Sequence, residues 1–421
     1  MAFLNEDVLK VLQKESIMDP QQRWMRSLIG DSSLIPSGNK PKSVIIREDM
    51  RSVFNTEGVV PTMKGTMQIL EKLEEAGVQE AEIGYPHTKE HNEFALAAKK
   101  AGFKIKLGAH INARAKDYKQ NIDLAVDNGY DMVNFVAGGD RIRTISEHGV
   151  AGSEQKLMDQ VAEAIMYSKS RGIMTSAGGS SPSKLDTFVN MCKVIKEAGS
   201  DRIVIYDGRG WQMPDTIQMM VRLCRDIVGP ETGIFLHCHN DFGLAVANTV
   251  MGLKAGANGA DTTVNGLGHR TGNANLEQVV AATKVLADIE TGIDMSKLGG
   301  ICRLEEELYG IPIPKNAPIT GEWIFSYLGR KIPFCLRGDW YVFENIVAEE
   351  LGMKRNIIWA PTTPPGREGA IPSKLDQMGL EASDEEIDVI YEKMIEGCKN
   401  SSRGYVTDEE MAEIIHQVLG K

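Results

Sequence analysis

The feature that most constrains this chain is an eightfold alternation. Short apolar runs at Val44–Ile46, Glu80–Ile83, Ile105–Ala109, Asp131–Val136, Ile173–Ser176, Arg202–Tyr206, Gly233–Leu236 and Gly259–Val264 read as strands. Between them lie helical patterns rich in Ala, Glu, Lys and Leu, such as Thr66–Ala76, Glu93–Lys100 and Ala115–Val126. The helical patterns tend to close on a glycine (Gly77, Gly102, Gly129, Gly172, Gly199, Gly256), the residue that ends a helix in the left-handed conformation. Eight such units in roughly 250 residues predict a (β/α)8 TIM barrel. A doubly wound open sheet is the rival, but Gly138-Gly139 and Gly178-Gly179 do not make its GxGxxG phosphate loop.

The 421 residues exceed one ordinary core, so flanking pieces are expected. The sequence divides into an N-terminal helical extension (1–42), the barrel (43–298) and a C-terminal helical lid or dimerisation region (299–421). A net charge of −11 argues against nucleic acid or an anionic membrane surface as partner. No apolar stretch reaches the ~18–20 residues of a membrane span, and residues 1–25 lack the apolar core of a signal peptide. Six dispersed cysteines without a CxxC predict free thiols in a reducing, cytoplasmic setting.

Barrel chemistry sits at the C-terminal ends of the strands. That ring reads Arg47 and Glu48, Glu82, His110, Asn134, Gly138 and Gly139, Asp207, His237 and His239, then Asn265. His237 and His239 are two apart at a strand end, so their imidazoles share a face. They read as half of a divalent-metal site or as a hydrogen-bonded pair. Glu48 would complete a two-His-one-carboxylate set, and Arg47 would suit an anionic substrate oxygen. A plain surface salt bridge is the other reading of Arg47-Glu48.

Several stretches resemble the metal-dependent barrel superfamily of isopropylmalate synthase, homocitrate synthase and hydroxymethylglutaryl-CoA lyase. They are Arg47-Glu48, Glu82-Ile-Gly-Tyr-Pro86, His237-Cys-His-Asn-Asp-Phe-Gly-Leu-Ala-Val-Ala-Asn248 and Thr263-Val-Asn-Gly-Leu-Gly-His-Arg-Thr-Gly-Asn-Ala274. Arg47-Glu48, His110-Ile111 and Arg143-Thr-Ile-Ser-Glu-His-Gly149 are closer to homocitrate synthases, and Leu308–Pro314, Gly321-Glu322 and Ser383–Glu386 resemble the synthases' appendage. The resemblance implies one divalent ion (Mg, Mn, Co or Zn) on Glu48, His237 and His239, with Asn273 a further ligand. It implies Arg47 steadying an enolate or alkoxide, and Arg143, Ser146 and His110 holding an oxo acid, with Asp207 on the substrate side of the ring. An acyl-CoA and a 2-oxo acid would be the substrates, and a homodimer the assembly.

The chain also departs from that pattern. Asp49-Met50-Arg51 stands where Gly-Glu-Gln is usual, Asp207-Gly-Arg-Gly210 where Asp-Thr-Val-Gly is usual, and Gly178-Gly179 where an acid follows Ser-Ala. No histidine occurs between 270 and 415, so the appendage's usual catalytic histidine is missing. His269 is the nearest substitute base, or else a plain loop residue. Three functions follow: a Claisen-type acyltransferase, a metal-dependent carbon–carbon lyase or aldolase, and a barrel that binds a metabolite without turnover.

Overall fold

The computed structural model describes residues 6–28, 40–137, 153–179, 181–365 and 369–420. The chain forms two compact units, one of residues 31–313 and one joining 1–30 to 314–421.

The first unit is a closed barrel of eight strands in chain order. They are β1 (Ile45–Glu48), β2 (Glu80–Gly84), β3 (Lys106–Ile111), β4 (Met132–Ala137), β5 (Met174–Gly179), β6 (Arg202–Asp207), β7 (Gly233–Cys238) and β8 (Gly259–Thr262). All neighbours are parallel, and β8 closes on β1 with Arg47 opposite Asp261. The connecting helices are α1 (Met63–Ala76), α2 (Lys89–Ala101), α3 (Tyr118–Asp127), α4 (Ser153–Ser170), α5 (Leu185–Glu197), α6 (Pro214–Val228), α7 (Ala245–Lys254) and α8 (Leu276–Val285), with α9 (Leu298–Tyr309) closing the unit. Gly77 ends α1 at φ 94°, and a Cβ there would stand 2.5 Å from the Gly292 carbonyl, so only glycine fits.

The apolar core lies between strands and helices. Ile46, Ala81, Ile83, Leu236 and the inner face of α1 (Ile69, Leu70, Leu73) are sealed from water, each large side chain contributing about 1.5–3 kcal/mol. The barrel's own interior is polar for much of its height. Arg202 forks onto Glu80 at 2.6 and 2.7 Å over the Phe235 ring. One layer up, Arg47 bonds both oxygens of Asp261 at 2.7 and 3.0 Å and Asn134 at 2.7 Å. Buried charges persist only when paired in this way.

The first seven strands run further at their C-terminal ends than expected, β1 through Glu48, whereas the eighth stops at Thr262, two residues short of Val264. Strand alternation then turns Arg47 into the barrel and Glu48 outward toward the helices.

The second unit has a three-stranded sheet, Ser326–Leu328, Asn356–Trp359 and Val406–Thr407, with the middle strand parallel to the first and antiparallel to the last. Helices Asp384–Asn400 and Asp408–Leu419 each begin with a capping box, Ser383 with Glu386 and Thr407 with Glu410. Trp359, Ile390, Met394, Met411 and Ile415 form its core. Among the described residues no helix is long and apolar enough to cross a membrane.

Candidate active site

His237 is the penultimate residue of β7, and His239 follows at the strand mouth. Their Nε2 atoms lie 3.3 Å apart. Two ligands at ~2.0–2.1 Å from one ion, at angles between octahedral and tetrahedral, stand roughly 3–3.4 Å apart. The pair therefore has the spacing of two ligands of one metal. Asp261 Oδ2 lies 3.1 Å from His237 Nδ1, so the other ring nitrogen faces a carboxylate that fixes the imidazole.

Asn273 strengthens the fit. It pairs by backbone with His239, is 2% exposed, and neither side-chain polar atom has a hydrogen-bond partner. A buried amide left wholly unpaired costs about 1–3 kcal/mol unless a ligand completes it. The loop carrying it is tightly wound. Gly272, at φ 83°, sits where a Cβ would lie 1.8 Å from the Gly266 oxygen, and that same oxygen accepts the Asn273 N–H at 3.0 Å.

The carboxylates are arranged differently from expectation. Asp49, His237 and Asp261 offer donor atoms all within 4.8 Å of one another, a candidate metal cluster. Within it, Arg47 already occupies both oxygens of Asp261, which makes Asp261 the orienting partner of His237. Glu48 does not join the histidines. It is the outward residue of β1, one oxygen accepting the Val264 N–H at 2.9 Å and the other unpartnered. Burial, then the nearby Glu305, holds its carboxyl well above the usual carboxylate range. Asp49, the next residue, is a second carboxylate beside His237, its Oδ2 3.6 Å from the Nδ1 that Asp261 also approaches.

Arg47 also sits deeper than the expected ring of loop residues. It is fully buried inside the barrel and bound to Asp261 and Asn134. A cation nearer the mouth is Arg51, one helical turn later on the short helix Met50–Val53 that Asp49 caps. It bonds Glu82 at 2.5 Å and Asp49 at 2.7 Å. Burial alone would raise the Glu82 carboxyl, yet Arg51, then His110 and Arg47, hold it well below the usual range. His110 Nδ1 lies 3.2 Å from Glu82, and burial with the Arg51 charge pushes its imidazole down.

Asp207 is also engaged internally. It is fully buried, and its two oxygens accept the N–H groups of Trp211 and Gln212 at 3.1 Å each, so it braces the loop after β6. Arg143 and Ser146 lie outside the described residues. His269 is exposed on the eighth-strand loop, with its imidazole lowered by partial burial and then by Arg51 and Arg270. Burial, then His237, pushes His239 down to about 2, which leaves that imidazole neutral and able to accept.

Asp49, Arg51 and Asp261 escaped the sequence reading. The available signals were the Asp49-x-x-Ser52 cap directly after a strand and an acid inside the apolar run at Gly259.

Residues 45–304 match the HMGL-like family model. The chain belongs to the HMGL-like family. Such proteins depend on a divalent metal, and the cluster just described is where this member could hold it. Its HMGL-like relatives include homocitrate synthase AksA of Methanocaldococcus jannaschii, 31% identical with 88% of this chain and 90% of the relative covered. The probable 2-isopropylmalate synthase of Methanopyrus kandleri is 34% identical over 82% of this chain and 68% of the relative. The (R)-citramalate synthase CimA of Methanocaldococcus jannaschii is 31% identical over 88% and 74%. Among solved structures the HMG-CoA lyase of Bacillus subtilis superposes with a TM-score of 0.58 at 18% identity, covering 67% of this chain and 98% of that one. That likeness shows the shared fold.

Proposed function

We propose that the protein is a divalent-metal-dependent acyltransferase that joins an acyl-CoA, acetyl-CoA in the first instance, to a 2-oxo acid in a Claisen-type condensation. The observation that carries this is the meeting of His237 and His239 at 3.3 Å in a barrel whose relatives are named homocitrate, isopropylmalate and citramalate synthases. Those names differ in the oxo acid and share the reaction, so the reading commits to the reaction class.

His237, His239 and Asn273 would hold the ion, with Asp49 the adjacent carboxylate. This mixture of imidazole and oxygen donors suits Mg, Mn, Co or Zn. The bound ion would polarise the ketone of a chelated 2-oxo acid.

The chain's own groups supply the rest. His269, neutral at ordinary pH, takes a proton from the acyl methyl. The resulting enolate carbon bonds to the ketone carbon, and the ketone oxygen takes up a proton. Water then cleaves the thioester, releasing free CoA thiol and a carboxylate. Arg51 places positive charge at the mouth, where oxygen charge develops. Arg143 and Ser146 are assigned to the distal carboxylate, and His110 to the substrate's inner edge. A cytoplasmic homodimer belongs to the same reading. Trp323 and Phe343, 52% and 43% exposed in the second unit, and six free cysteines support it.

Incubating protein and Mn²⁺ with acetyl-CoA and a series of 2-oxo acids should release free thiol with at least one of them. Thiol release with none would overturn the proposal.

A further inference from the structure

Three buried glutamates stand at the root of the eighth-strand loop, where the chemistry above does not use them. Glu48, Glu277 and Glu305 are each at most 2% exposed. They come from β1, α8 and α9, and each accepts hydrogen bonds from the loop after β8. Glu48 takes the Val264 N–H at 2.9 Å, Glu277 the Asn265 N–H at 3.2 Å, and Glu305 the Asn265 side-chain amide at 3.0 Å. The same Asn265 Nδ2 also reaches the Cys302 carbonyl at 3.0 Å. Cys302 and Glu305 are one helical turn apart, so a single face of α9 holds the asparagine.

Asn265 itself is strained. Its φ of 53° and ψ of 9° are left-handed, a conformation that asparagine tolerates and that costs other residues about 1–2 kcal/mol. The very next carbonyl, that of Gly266, receives the Asn273 N–H at 3.0 Å. The path from α9 to the candidate ligand is therefore short: Glu305 to Asn265, Asn265 to the Gly266 peptide, and that peptide to Asn273.

We propose that Asn265, clamped by Glu277 and Glu305, is the positioning residue of the eighth-strand loop and sets where Asn273 stands beside His239. The inference rests on the metal reading of Asn273, and its test separates the two. Outer partners of this kind typically change metal affinity by about 10–100-fold when removed.

Full-length protein carrying Asn265→Gly, Glu305→Ala, Glu305→Gln or Asn273→Ala would be compared by Mn²⁺ titration and by amide hydrogen exchange of residues 266–274. Glycine adopts the left-handed backbone without strain and removes the side-chain clamp, while Glu305→Ala removes the clamp with the Asn265 backbone unchanged. Glutamine keeps the acceptor. Asn265→Gly and Glu305→Ala should exchange at least ~10-fold faster across the loop and bind Mn²⁺ ~10–100-fold more weakly, with Glu305→Gln close to the parent. Should Glu305→Ala fail to fold, Asn265→Gly carries the test. Parent-like exchange in Asn265→Gly overturns the clamp. Faster exchange with parent-like Mn²⁺ affinity, where Asn273→Ala loses affinity, overturns the positioning role. If Asn273→Ala keeps full affinity, the metal reading of that residue falls, and the exchange data alone decide whether Asn265 holds the loop.

Discussion

His237 and His239 present their Nε2 atoms to each other across 3.3 Å, while Asp261 lies 3.1 Å behind His237 on its Nδ1 side. The metal assignment follows from that arrangement. His237→Ala and His239→Ala should each lose stoichiometric metal on purification, measured by elemental analysis. Glu48→Gln should retain it, because Glu48 faces Val264 and the helices.

The two arginines of the first strand and its following turn divide structure from chemistry. Removing Arg47 strands the buried Asp261 carboxylate, so Arg47→Ala should cost about 3–5 kcal/mol in urea denaturation. Arg51→Lys keeps a cation beside the buried Glu82 and Asp49 and so should cost less stability than Arg47→Ala, while lowering turnover, since an ammonium cannot reproduce the fork.

Stability should depend on pH through the buried acids. Burial, opposed by the Asn265 side-chain bond, holds the Glu305 carboxyl well above its ordinary range. Between the unfolded value and the raised folded one, the unfolded chain sheds its proton first. The native state then binds more protons, and stability falls as pH rises, by at most ~1.4 kcal/mol per pH unit per group. Glu305→Gln should flatten that decline in denaturation series from pH 5 to 9. An unchanged slope would show that Glu305 does not contribute.

His269→Gln should lower turnover by about 10²–10⁴-fold and abolish solvent deuterium exchange into the acyl methyl, with metal content unchanged. Exchange at the parental rate would place the base elsewhere.

Much of this was legible in the sequence, for one physical reason. Periods of 2 and 3.6 announce strands and helices, so the eight βα units and the shared face of His237 and His239 could be read directly. Parity at a strand end could not. The expected first strand stopped at Ile46, which left Arg47 and Glu48 as loop residues facing the site. The real strand continues to Glu48, sending Arg47 into the barrel and Glu48 out, and leaving Asp49 and Arg51 on the following turn beside His237 and Glu82. Asp261 was hidden because its importance comes from β8 closing on β1, a pairing 214 residues apart in sequence.

The central claim is carbon–carbon bond formation from a thioester and a 2-oxo acid. It is tested most directly by supplying methyl-¹³C acetyl-CoA with the oxo acid that releases thiol, in the presence of Mn²⁺, and following the label by NMR. The account predicts a new ¹³C methylene resonance, its protons correlated over two bonds to a tertiary alcohol carbon and appearing in step with free CoA. Label that stays in acetyl-CoA or appears only as acetate would contradict it.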